Sequence, residues 1–130
     1  MSNREAGSRF ETDFCTLLSD NGFWAHNMAQ NAAGQPFDVI AAKDGNTYVI
    51  DCKVCANDVF KLSRIEPNQE MAMSLWHETG NGTGWFALEL RDKSIYMIAY
   101  KELKSLRVTR HTLTLKDIKE QGYTLEEWLG

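Results

Sequence analysis

Two carboxylates and an amine stand close together in the segment Gly34–Gln69. Asp38 follows Gly34 and Pro36, and Asp51-Cys52-Lys53 closes the next apolar run. Side chains on a strand alternate between faces, so Val49, Asp51 and Lys53 point one way and Tyr48, Ile50 and Cys52 the other. If the chain turns back at Asp44-Gly45, antiparallel pairing brings Asp38 and Asp51 side by side, with Cβ atoms about 5 Å apart. Like charges at that distance repel unless a cation lies between them. Carboxylate oxygens suit a hard ion, Mg²⁺ or Mn²⁺, which keeps several waters. Such an ion polarises a phosphate and lowers the pKa of its bound water, while a neighbouring lysine orients the water or stabilises charge on the phosphate. The chemistry within reach is phosphoryl transfer or phosphodiester hydrolysis. Uncatalysed phosphate ester hydrolysis is so slow that metal-dependent enzymes accelerate it on the order of 10¹⁷-fold or more.

Each residue also has a plainer use. Asp38 can cap a turn, and Asp51 and Lys53 can form an exposed i,i+2 pair of little energetic worth. Against that, Asp51 lies within Tyr48-Val49-Ile50-Asp51-Cys52, which reads as a central strand where a bare Asp is costly. Glu11, near the N-terminal end of the first helix, can face the same cluster. It can equally complete a capping box over Ser8-Arg9-Phe10-Glu11, as Ser2-Asn3-Arg4-Glu5 can. Gln69, at the start of the second helix, can contact metal-bound water or phosphate, or lie exposed on the helix surface.

The elements that position these groups follow from periodicity. Phe10, Phe14, Leu17 and Leu18 recur at helical spacing with Gly22 as the stop, predicting a helix over roughly Ser8–Asp20. Phe23–Met28 and Phe37–Ala42 read as strands, Lys43-Asp44-Gly45-Asn46 as a turn and Thr47–Val54 as the third strand. Pro67 suits the first turn of a helix running to about Glu78, with Met71, Leu75 and Trp76 as its buried face. Gly80–Gly84 is a loop. Trp85–Leu90 and Ser94–Tyr100 form a second hairpin through Arg91-Asp92-Lys93, followed by a short helix over Lys101–Leu106. In the tail, Leu115–Gln121 and Leu125–Leu129 read as short helical pieces. The order α-β-β-β-α-β-β-α predicts one α/β domain over residues 1–130, a mixed central sheet with helices on both faces.

With 130 residues, the chain suits a single core. The net charge of −4 and pI of about 5.3 argue against a general nucleic-acid coat protein. They leave room for a nuclease, because a carboxylate cluster adds negative formal charge that bound ions invert. Contacts to DNA must then come from local cations: Arg4 and Arg9, Lys43, Lys61 and Arg64. No apolar run approaches the roughly 18 residues of a membrane span, and MSNREAGSRF has no apolar signal region. The expected compartment is the cytoplasm, where the three cysteines stay reduced.

Other combinations carry less. Cys52-Lys53-Val54-Cys55 continues a strand instead of opening a helix, and Cys15, His26, His77 and His111 are too scattered to complete a zinc site. Gly80–Gly84 runs into a strand and lacks the Lys-Ser/Thr of a P-loop. Trp24, Trp76, Trp85 and Trp128 read as core or dimer surface.

Taken together, Asp38 and Asp51-x-Lys53 resemble the PD-(D/E)xK nuclease signature, with Phe37 between Pro36 and the acid. The fuller resemblance is to Holliday junction resolvases of the bacterial RecU type and, more loosely, to the archaeal resolvases. Gly7-Ser8-Arg9-Phe10-Glu11 is similar to their G-x-x-F-E, Phe37-Asp38-Val39-Ile40 to their first acidic strand and Tyr48–Lys53 to the second. Phe60–Ile65 with Asn68-Gln69 is similar to the approach to their glutamine-bearing helix, and Gly84–Leu88 to the next core strand. The resemblance implies a restriction-endonuclease-like fold, a Mg²⁺-dependent site (Mn²⁺ substituting) and a homodimer that cuts four-way DNA junctions. By position it makes Glu11, Asp38 and Asp51 metal ligands and Lys53 the catalytic lysine, with Gln69 assisting. Other readings on the same fold are a restriction, repair or phage DNA-processing nuclease, and a non-catalytic DNA-binding domain.

Overall fold

The computed structural model describes residues 2–28 and 34–130. Helix α1 covers Asn3–Asp20 and starts earlier than the periodicity predicts, because Ser2 is its cap: the Ser2 hydroxyl accepts from Glu5 N at 3.1 Å. Glu11 therefore lies well inside α1 and caps nothing. Phe10, Glu11, Phe14 and Leu18 form the buried stripe at i, i+4 spacing. The helix ends at Asn21, and Gly22 turns the chain at φ +86, a region glycine enters without strain.

Strands β1 (Trp24–Asn27), β2 (Val39–Lys43) and β3 (Asn46–Val54) form an antiparallel meander. Lys43 pairs with Asn46 across a two-residue turn in which Asp44 and Gly45 both have positive φ, 52 and 80. That is the type I′ geometry Asp-Gly favours, and it fixes the register. After β3 come a two-residue strand β4 (Phe60–Lys61), a single 3₁₀ turn (Leu62–Arg64) and helix α2 (Pro67–Glu78). The chain then enters β5 (Trp85–Glu89) parallel to β3, with Asp51 opposite Phe86 and Lys53 opposite Leu88. A parallel neighbour needs such a crossover. Strand β6 (Ile95–Ala99) returns antiparallel, then come α3 (Tyr100–Leu106), β7 (Thr112–Leu113), α4 (Leu115–Gln121), β8 (Tyr123–Thr124) and α5 (Leu125–Leu129). The main sheet runs β1-β2-β3-β5-β6-β8, and β4 pairs with β7 in a small second sheet.

Helices cover both faces. On one, Phe10, Phe14 and Leu18 of α1 and Leu125 of α5 pack against Val39, Ala41, Ile50, Cys52, Ala87 and Met97. On the other, Met73, Leu103 and Ile118 pack against Phe86, Leu88 and Ile98. Each such fully buried side chain stabilises the fold by roughly 1.5–3 kcal/mol relative to exposure. The buried face of α2 differs from the predicted one: Gln69 and Met73 are buried, while Met71 and Leu75 are 73% and 59% exposed. Apolar residues at 71, 73, 75 and 76 permit either face, and the sheet takes the one that turns Gln69 towards Asp51. Trp85 and Trp128 join Phe23 and Tyr48 in an aromatic cluster, whereas Trp24 is 63% exposed. Among the described residues no helix is long and apolar enough to cross a membrane.

Candidate active site

Asp38 stands one residue before the first rung of the β2–β3 ladder, where Val39 pairs with Ile50. Its backbone N donates to Ile50 O at 3.1 Å and its side chain accepts from Cys52 N, so Asp38 reaches β3 on either side of Asp51 and the two acids are neighbours, as the hairpin predicts. Both carboxylates are buried, Asp38 at 7% exposure and Asp51 at 0%. The solvated-strand reading of Asp51-x-Lys53 is therefore excluded. Asp38 Oδ2 accepts from Cys52 N at 2.8 Å and Oδ1 from Gln35 Nε2 at 3.0 Å.

Asp51 Oδ1 accepts from Gln69 Nε2 at 3.0 Å. Its other oxygen lies 3.2 Å from Lys53 Nζ, within ion-pair range, yet it is buried without a directed hydrogen bond. Distance is met there and direction is not, so Lys53 attracts the Asp51 charge through space while that oxygen makes no hydrogen bond. Burial raises the Asp51 pKa well above the ordinary carboxylate range, and the Asp38 charge adds to this, against the pull of Lys53. Glu11 reaches the cluster from α1. Its carboxyl is pushed up to about 7, first by burial and then by the charge and a hydrogen bond of Asp38, with Lys53 opposing. Burial likewise raises Cys52 and brings Cys55 up to about 11, so both thiols are held protonated and poorly nucleophilic.

Glu11, Asp38, Lys53 and Gln69 line a cleft of about 880 Å³ whose walls also include Arg4, Lys61 and Arg64, while Asp51 is fully buried beneath its lining. Gln69 is buried rather than lying exposed, and both ends of its amide are engaged: Oε1 accepts from Glu66 N at 3.0 Å while Nε2 donates to Asp51. Arg64 donates to Val54 O at 2.9 Å, lies over Phe60 and lines the cleft.

Two of the cations assigned to DNA lie elsewhere. Arg9 is spent on Glu89, at 2.5 Å, and on Asp13, at 2.8 Å. Glu89 is 4% exposed, and a buried carboxylate holds its partner firmly. Lys43 donates to Asn21 O at 3.0 Å and sits over the Phe23 ring, on the rim of a separate cavity of about 420 Å³ beside Trp128. Gln35, which no motif singles out, touches Asp38 directly.

The donor set is that of a hard dication: carboxylate oxygens only, two of them against one another and one buried oxygen without a hydrogen bond. Among the described residues no three His, Cys, Asp or Glu side chains already form a finished cage. Glu11 and Asp51 each have Asp38 as a charged neighbour. An ion drawing Glu11 in would complete the set with Glu11, Asp38 and Asp51, waters supplying the rest.

No protein of curated function matches the chain. Among solved structures, the Hjc of Archaeoglobus fulgidus, described as a Holliday junction resolvase from an archaeal hyperthermophile, superposes with a TM-score of 0.72. The alignment covers 95% of this chain and 100% of that one at 20% identity, a likeness of fold: the mixed sheet with flanking helices is shared. In sequence, the model of the archaeal Holliday junction resolvase (hjc) family matches residues 2–130. That match spans the α1 acid, both acidic strands and the α2 glutamine, and the chain belongs to the archaeal Holliday junction resolvase family.

Proposed function

We propose that this protein is a Mg²⁺-dependent endonuclease that cuts four-way DNA junctions, with residues 1–130 acting as one nuclease domain. The observation that carries the reading is Asp51: a fully buried carboxylate, opposite a second one, with an oxygen free of hydrogen bonds and a lysine two residues on. A structural role would not need a group so costly to bury. Family membership supports the junction as substrate. The sequence pieces similar to RecU-type enzymes support a PD-(D/E)xK site.

Glu11, Asp38 and Asp51 would hold the ion, Mg²⁺ or Mn²⁺. Bound there, a dication supplies positive charge against the scissile phosphate and makes water a stronger nucleophile. Lys53 offers its ammonium to the phosphate as charge builds up in the transition state. Gln69 fixes the plane of the Asp51 carboxylate instead of meeting substrate. Arg4, Lys61 and Arg64 on the cleft wall contact backbone phosphates. Cleavage on this reading leaves 5′-phosphate and 3′-hydroxyl ends. A junction has two equivalent strands to cut, so the working unit is a homodimer; exposed Trp24, Met71 and Leu75 supply apolar surface for it. The protein would act in the cytoplasm, on branched DNA.

The test is cleavage of labelled four-way junction and of linear duplex, each with Mg²⁺ or EDTA, by wild type and Asp51→Asn. Nicking of the junction alone, lost in EDTA and in the variant, is the expected result. Equal cutting of linear duplex would mark another nuclease of this fold. Junction binding without cleavage in any metal would mark a DNA-binding domain.

A further inference from the structure

Asp38 occupies a delicate position. It precedes the β2 ladder and lies in a bend whose backbone is tied to Ile50 O and Met28 N, so its side chain needs holders of its own. A metal ligand on a loop must be held by something else. One holder is Cys52 N, which donates to Oδ2 from β3. The other is Gln35 Nε2, which donates to Oδ1 at 3.0 Å from the same loop. An anchor that itself floats orients nothing, so the question is what holds Gln35.

The answer lies in α2. Asn68 Nδ2 donates to the Gln35 carbonyl at 3.0 Å, reaching across from the first turn of the helix. The approach is tight: a Cβ on Gly34, whose φ of +79 already favours glycine, would lie 3.4 Å from Asn68 Nδ2. Pro67 fixes the helix start, and the reciprocal Glu66–Gln69 cap tightens the same turn. Asn68 thus sits in a capped helical turn, whereas Gln35 lies in loop backbone.

We propose that Gln35 and Asn68 are positioning residues for Asp38, acting in series: Asn68 pins the Gln35 backbone to α2, and the Gln35 amide sets the Asp38 carboxylate. With neighbouring Gln69 bound to Asp51, one helical turn then orients both aspartates. A carboxylate has about four lone-pair sites, so each Asp38 oxygen keeps one for an ion after accepting these bonds. Outer partners of this kind typically govern metal affinity by about 10–100-fold.

The inference rests on the metal-dependent reading of the site, and the experiment separates the two. Gln35→Met removes the amide at nearly constant size, and Asn68→Asp removes the donor and sets a carboxylate against the Gln35 carbonyl. Mn²⁺ binding to the DNA-free protein is measured by calorimetry, with thermal unfolding in EDTA as the control and junction cleavage against Mg²⁺ concentration alongside. Each variant should weaken Mn²⁺ about tenfold and raise the half-saturating Mg²⁺ to match. The cleavage rate at saturating Mg²⁺ should stay within about threefold and the metal-free melting temperature should not change. The double variant should be no weaker than the worse single one, since links in series do not add. Wild-type Mn²⁺ affinity in both variants, or additive losses in the double one, would overturn the proposal while leaving the site intact. If Asp38→Asn also binds Mn²⁺ like wild type, the metal site itself is wrong. A variant that melts early has a structural defect; if both do, the positioning role is refuted.

Discussion

Lys53 Nζ stands 3.2 Å from Asp51 Oδ2, an oxygen otherwise buried without a hydrogen bond. The pair is assembled at a cost. Asp51 is 0% exposed, and its burial and the Asp38 charge outweigh the attraction of Lys53. Folding would be easier without that carboxyl, as at many active sites. Asp51→Asn keeps the acceptor for Gln69 and discards the charge. It should abolish cleavage while stabilising the metal-free protein by about 1–2 kcal/mol, the usual gain when a costly active-site group is relieved, a rise of roughly 3–6 °C in melting temperature for a chain of this size. Lys53→Met should cost about 10²–10³-fold in rate and lower the melting temperature, because it leaves the acid alone. Thermal unfolding in EDTA beside single-turnover cleavage measures all of these; an Asp51→Asn protein that melts below wild type contradicts the account.

Glu11 predicts a pH dependence. Its folded pKa, about 7, lies above the ordinary Glu value, so the folded protein holds this proton more tightly than the unfolded chain. A raised pKa contributes stability that is complete below the unfolded pKa and is lost as pH rises through the folded one. Metal-free stability should therefore fall between about pH 4.5 and pH 7 on account of this group. A dication prefers the ionised carboxyl and competes with the proton. Mg²⁺ should thus raise the melting temperature more at pH 8 than at pH 5, and half-saturating Mg²⁺ for cleavage should climb as pH drops below 7. Melting curves against pH, with EDTA and with Mg²⁺, test it; Glu11→Gln should flatten the EDTA curve over this range.

Much of this geometry is readable from residue order. Apolar alternation around Asp44-Gly45 yields the hairpin and its register, and with them the Asp38–Asp51 juxtaposition. Pro67 marks the start of α2, and Leu115–Gln121 and Leu125–Leu129 fold as the helices their pattern suggests. Strands β4, β7 and β8 are not legible, since two residues have no period and exist only because a partner lies alongside. The start of α1 escapes periodicity because Asn3–Gly7 is polar and shows no stripe, and of the two capping sites the sequence offers the structure uses the one at Ser2. The buried face of α2 is ambiguous in sequence, and tertiary contact decides it. The acids are readable because Asp-x-Lys in an apolar strand is conspicuous. Gln35 is not, because its role depends on a loop conformation, and the cations cannot be sorted until Glu89 is seen to claim Arg9.

That ion pair tests the assignment of Arg9. Glu89 is 5% exposed in its side chain against 29% for Arg9, so the two partners are not equivalent. Removing Arg9 strands a buried carboxylate, whereas Glu89→Gln leaves an arginine that can still meet Asp13 and water. Arg9→Met should destabilise by about 2–4 kcal/mol, and Glu89→Gln by less. Urea unfolding of the two variants decides it, and the reverse order would mean that Lys93, 3.8 Å from Glu89, already neutralises it.

The cleft cations make a separate prediction through salt. Each phosphate contact releases counterions, so the logarithm of binding affinity falls against the logarithm of salt concentration by about 0.9 per contact. Lys61 is exposed on the cleft wall with no carboxylate partner among the described residues, which leaves it available to a phosphate. Lys61→Ala should reduce the slope for four-way junction by about 1. Lys43→Ala should leave it unchanged, because Lys43 is engaged at Asn21 and Phe23 beside a different cavity. Arg64→Ala should reduce it too, with some loss of stability, since its guanidinium also holds Val54 O. Titrations at several salt concentrations in Ca²⁺, to bind without cutting, separate the three. A Lys43 effect as large as that of Lys61 would show that DNA wraps beyond the cleft to the β2–β3 turn.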